Sequence, residues 1–137
     1  MGRRTKSVGV AVVAMTLGLL TAVSGCAQAQ DEQSPQEIID AWAKIACVDA
    51  ADFRTNPGDG DVVISAACTL PNESLAMSQR RQYIEVYESE SAVDTKIASV
   101  DCGNGMLRVT GSNWYAPTLI REIATGLQDE MGGSLAC

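Results

Sequence analysis

The chain has no histidine, which removes the commonest general base and the commonest metal ligand together. Lysine is scarce too: beyond the N-terminal segment only Lys44 and Lys96 remain. Neither sits in a Ser-x-x-Lys or Gly-x-Ser-x-Gly spacing, so a serine nucleophile would have no base to activate it. No Cys-x-x-Cys pair occurs, which argues against a dithiol redox centre. Glu88 and Glu90 read as solvated loop charges rather than an enclosed acid–base pair. Asp52, Asp59 and Asp61 surround the turn at Pro57-Gly58, but the spacing lacks the early acidic positions and late bidentate Glu of a calcium loop. The expectation is therefore a protein that is not an enzyme and holds no metal or cofactor.

Long apolar runs are also missing. The longest, from Val8 to Leu20, follows Arg3, Arg4 and Lys6 and falls short of the about 20 residues a membrane span needs. Positive start, apolar middle and small residues before a cleavage point make a secretory signal. The segment ends in Val23-Ser24-Gly25-Cys26. This resembles the lipobox of bacterial lipoproteins of the actinobacterial or actinophage type. The resemblance implies removal of residues 1–25 and a diacylglyceryl group on the Cys26 thiol, anchoring the chain to the outer face of the cell membrane. Two acyl chains hold stably where one binds marginally, each buried CH2 contributing about 0.8 kcal/mol. Arg3-Arg4 lacks the hydrophobic residues that follow a twin-arginine export pair, so the general secretion route is expected.

Cleavage there would take away three basic and no acidic side chains. The mature chain would keep seven basic residues against 17 acidic ones, a net charge of −10. Such a domain has no general attraction for nucleic acid. Residues 26–34 are the lipidated cysteine and a small, polar tether, whose eight residues after Cys26 reach at most about 28 Å. Residues 35–137 are enough for a single small domain.

Cys47, Cys68, Cys102 and Cys137 form an even set, which in a small exported domain implies two disulfides. Three connectivities are possible. Cys47–Cys68 and Cys102–Cys137 join segments that the expected topology places side by side. With Cys26 acylated, no thiol is left over for reaction.

Ser34-Pro35-Gln36-Glu37 is a capping box with proline at the first helical position, and Ile38, Ile39, Trp42, Ile45 and Ala46 follow as one apolar stripe. Asn56 to Asp61 reads as a turn cluster. Asp61 to Leu70 alternates as a strand with Cys68 facing inward, and Gln82 to Glu88 is a second strand with Ile84 and Val86 inward. Pro71 to Ser78 joins them as a loop. Ser91 to Val100 reads as a short helix, and Asp101 to Gly105 as a turn. Met106 to Gly111 is a third strand, and a last helix opens near Pro117 and stops at Gly132-Gly133.

The expected fold is α+β, two layers in the order α-β-β-α-β-α. Its three-stranded mixed sheet carries helices mainly on one face, with a right-handed parallel crossover from the second strand to the third. Gly111-Ser112-Asn113-Trp114, together with the cysteine strand and hairpin, resembles small extracytoplasmic domains of actinobacterial lipoproteins; it implies no catalytic residue.

On the outer sheet face Tyr83, Glu85 and Tyr87 lie beside Met106 and Arg108, with Trp114 and Tyr115 extending the third strand. Tyr, Met and Arg are enriched at protein interfaces. The expected function is a lipid-anchored, non-enzymatic module binding another envelope protein through Tyr83, Tyr87, Met106, Arg108, Trp114 and Tyr115. Two alternatives also fit the anchor and small size: a phage-exclusion or host-defence lipoprotein blocking a surface receptor or channel, and a carrier of a small apolar ligand between sheet and helices.

Overall fold

The computed structural model describes residues 33–137; the lipobox, Cys26 and most of the tether lie outside the described residues. The first helix, α1 (Pro35–Ala46), starts as its sequence dictates. Ser34 Oγ accepts from the Glu37 amide and Glu37 accepts back from the Ser34 amide. That reciprocal bond holds the Glu37 carboxyl below its usual range. Ile38, Ile39, Trp42 and Ala46 are buried along one face, as the i, i+3, i+4 spacing requires.

The sheet corrects the sequence expectation. It has six strands, all antiparallel, in the order β1-β2-β3-β5-β4-β6. These are β1 (Arg54–Pro57), β2 (Val62–Thr69), β3 (Arg81–Tyr87), β4 (Leu107–Thr110), β5 (Trp114–Thr118) and β6 (Ser134–Leu135). The remaining helices among the described residues are α2 (Met77–Arg80), α3 (Glu90–Ser99) and α4 (Arg121–Met131). The α+β class and both disulfides are present, but the three-stranded mixed sheet, the parallel crossover and the six-element order are not.

Each difference has a local cause. β1 runs through Asn56 and Pro57, which read as turn residues. Proline is tolerated there because β1 is the sheet edge, where a missing N–H costs no ladder bond. β5 is buried at all five positions, so it shows no alternation. Its Pro117, which reads as a helix start, is a strand residue paired with Arg108. The last helix accordingly begins four residues later, at Arg121. Gly111 lets the chain double back: a Cβ there would collide with the Trp114 indole. The returning β5, not β4, then docks on β3 through Glu85↔Tyr115 and Val86↔Trp114. An antiparallel neighbour reached past an outer strand replaces the expected parallel one.

Helices flank both faces, not mainly one. On the inner face α1 and α4 cover Ala66, Cys68, Ile84, Val86, Val109, Trp114 and Ala116. α4 ends at Gly132, whose left-handed conformation (φ 68°) lets the Gly133 amide bond back to Leu127 O at 3.2 Å. On the outer face α3 packs Ala92 and Val93 on Tyr87 and Tyr115. Cys47–Cys68 ties the end of α1 to β2, and Cys102–Cys137 ties the loop before β4 to the segment after β6. Among the described residues no helix is long and apolar enough to cross a membrane.

Candidate functional site

Strand pairing fixes what stands beside what on the outer face, because directly opposed residues share a side of the sheet. One row runs Asn56, Ser65, Glu85, Tyr115 and Thr110; the next brings Arg54, Ala67 and Tyr83 together. Helix α3 closes over one side of this face. Lys96 lies 5.3 Å above the Tyr115 ring and its Nζ is 3.3 Å from Glu85. The Tyr87 hydroxyl donates to Glu85 at 2.6 Å. Tyr83 meets Tyr115 edge-on, with ring centres 6.5 Å apart, a favoured arrangement of aromatic quadrupoles.

This cluster decides the chemistry of the phenols. Burial pushes the Tyr87 hydroxyl far up, and its hydrogen bond to the Glu85 carboxylate adds to the shift. Burial does the same to Tyr83, reinforced by the charge of Glu85 and opposed by that of Arg108. Both phenols stay neutral and act as hydrogen-bonding, apolar surfaces rather than as bases.

The expected interface is largely closed. Tyr87, Arg108, Trp114 and Tyr115 are 6 %, 6 %, 3 % and 2 % exposed, whereas Tyr83 remains at 38 %; Met106 is half-buried. Trp114 points to the opposite face, into the core under α1 and α4. Tyr87 and Tyr115 are covered by α3. The reason is the extra strand: with β5 between β3 and β4, the outward residues of β3 acquire neighbours on both sides and a helix above.

What stays open is the β1–β2 side of the same face. A depression of about 210 Å³ is lined by Arg54, Ala67, Thr69, Arg81 and Tyr83. Small Ala67 opens it between the two arginines and the phenol ring. Val63, at 46 % exposure, adds apolar surface on the same strand. Arg54 and Arg81 are exposed. Lys96–Glu85 is the sole ion pair within 4 Å among the described residues, so neither arginine has a bridging carboxylate. The nearby Asp52 is committed elsewhere. It accepts from the Thr69 amide at 2.6 Å, which together with the charge of Arg54 holds it below the usual carboxylate range.

Sequence reasoning missed Arg54, Arg81 and Val63. Counting back by two from Tyr83 reaches Arg81, so that one was recoverable. Arg54 needed a strand that the Pro57 turn signal hides. The aspartates Asp52, Asp59 and Asp61 do not converge: among the described residues no three carboxylates or cysteines form a metal-sized cluster.

Arg108 is the unusual member. Its guanidinium is buried among neutral groups, with Nη1 3.4 Å from Asn104 Oδ1, 3.3 Å from Met106 O and 3.9 Å from Cys137 Sγ. Nε has no partner. The chain matches no family model, no curated protein and no solved structure.

Proposed function

We propose that the protein is a lipid-anchored, extracytoplasmic docking module that binds another envelope protein through the open β1–β2–β3 part of its outer sheet face. The observation that carries this is the depression between Arg54 and Arg81, floored by Ala67 and walled by the exposed Tyr83 ring. A half-exposed aromatic anchor beside a pocket, ringed by arginine, has the composition of an interface hot spot. The two cations stand out in a chain of net charge −7 and favour a partner with an acidic rim. The Val23-Ser24-Gly25-Cys26 motif supports the anchor, and with it the address. The carrier reading has less behind it: Trp42, Ile39, Ile84 and Leu127, each at 0–1 % exposure, fill the space between sheet and helices.

Two experiments separate the anchor from the docking face. Cys26→Ser should release the protein from the membrane fraction and abolish fatty-acid labelling; retention with labelling intact would refute the anchor alone. A photo-crosslinking residue at position 83, in the full chain in living cells, should give one dominant protein adduct. Arg54→Glu with Arg81→Glu should remove that adduct. An adduct pattern identical to that from position 129, on the exposed side of α4, would refute the docking face.

A further inference from the structure

The two disulfides occupy opposite environments. Cys47 and Cys68 are 9 % and 3 % exposed, inside the core cluster, with Cys68 Sγ against Ala46 O. Cys102 is exposed, on the loop before β4, and Cys137 is half-buried beside Arg108. A guanidinium withdrawn from water without an anion is costly, and its cost falls when a negative charge arrives nearby. Among the described residues, the one ionisable side-chain atom within 4 Å of Arg108 Nη1 is Cys137 Sγ, at 3.9 Å.

We infer that Cys102–Cys137 is a thiol–disulfide exchange site with a fixed direction. The incoming thiolate attacks Cys102, and Cys137 departs as a thiolate stabilised by Arg108. The co-reactant is a dithiol. Its first thiolate forms a bond to Cys102 Sγ as the Cys102–Cys137 bond breaks, and the bonding pair stays on Cys137. Its second thiolate then displaces Cys102, leaving both protein cysteines reduced and the dithiol oxidised to its disulfide. Direction follows from access and from leaving-group stability, since the sulfur with the lower pKa leaves faster. Two other groups bear on the site. The Asp101 carboxylate, next to Cys102, accepts from the Gly103 amide and mildly repels an anionic attacker. Asn104, which shares Arg108 with the sulfur, is neutral. Opening the bridge would also free the segment that lies on the β4 edge through Ala136 N to Arg108 O and Arg108 N to Cys137 O.

The test treats the oxidised full chain with limiting dithiothreitol, quenches with an alkylating agent and maps the peptides. Cys102 and Cys137 should be labelled while Cys47 and Cys68 stay bridged. Glutathione in place of the dithiol should be trapped as a mixed disulfide on Cys102 and not on Cys137. Asn104→Asp keeps the oxygen that accepts from the Met106 amide, gives Arg108 a permanent carboxylate, and should slow the opening about fivefold by weakening the hold on the leaving thiolate. Arg108→Gln should slow it at least as much, and Arg108→Lys should keep most of the rate. Glutathione distributed equally over both sulfurs, simultaneous reduction of the two bridges, or an unchanged rate in Asn104→Asp would each overturn the assignment. Should Arg108→Gln fail to fold, the glutathione map and Asn104→Asp still decide it.

Discussion

Loop length alone predicts that the wrong bridge matters more for stability. Cutting a disulfide releases chain entropy in the unfolded state, more for a longer loop. The sequence separations are 21 residues for Cys47–Cys68 and 35 for Cys102–Cys137. The entropy relation then gives about 3.3 and about 3.8 kcal/mol. Burial reverses the order. Replacing Cys47 and Cys68 by alanine also empties core volume between α1 and β2, at a cost of about 1–2 kcal/mol. Alanines at 102 and 137 empty little, because Cys102 is exposed and β6 is an exposed two-residue strand. Without its bridge β6 frays in the native state too, which recovers part of the entropy. The expected losses are about 4–5 kcal/mol for the buried pair and about 3 kcal/mol or less for the exposed pair. Both are large against the about 5–15 kcal/mol of a typical domain. Urea unfolding of the two double-alanine variants, read from midpoint and slope, measures them. A costlier loss from the 102/137 variant would refute the reasoning and return the ordering to loop length.

Other consequences are as direct. Asn104→Asp should raise stability by about 1 kcal/mol, because a charge-assisted bond to Arg108 replaces a neutral one; thermal unfolding checks it. Gly111→Ala should cost about 2–3 kcal/mol through the collision of its Cβ with the Trp114 indole, visible as a lower urea midpoint and altered tryptophan emission. Tyr87 and Tyr83 ionise in the folded protein only well above their ordinary value of 10.0. Their contribution is complete below pH 10 and is lost as pH rises beyond it, since the unfolded chain then releases protons that the native state keeps. Urea midpoints should therefore fall between about pH 10 and 11, and Tyr87→Phe should flatten that fall.

The parts legible in the sequence are those whose signals are local. Ser34, Pro35 and Glu37 announce α1, and its stripe is the stripe that packs. The alternation around Cys68 and Ile84 identifies β2, β3 and their inward residues. Ser89 and not Ser91 caps α3, a shift of the size that frayed helix ends produce. The illegible parts depend on distant partners. β5 is central and buried on both faces, so Trp114 to Thr118 carry no period of two, and Pro117 mimics a helix start. β1 and β6 are edge strands of four and two residues, held by pairing rather than by their own propensity. The candidate site inherits this error. Alternation finds Tyr83, but it leaves Tyr87, Arg108 and Tyr115 in the open, because nothing local announces the strand and helix that bury them. The same omission hides Arg54, whose strand completes the surviving site.

The spatial order of the strands also sets a timetable. β1, β2 and β3 are consecutive in the chain and in the sheet, so this meander can assemble as soon as it is free to fold. The inner edge of β3 then waits through α3, the Cys102 loop and all of β4 before Trp114–Thr118 can pair with it. During that interval Ile84 and Val86 have no neighbour on that side, and an unpaired apolar strand edge invites pairing with another chain. A delay between Glu88 and Asn113 as the chain emerges would lengthen the hazard, whereas one after Thr118 would come too late to matter.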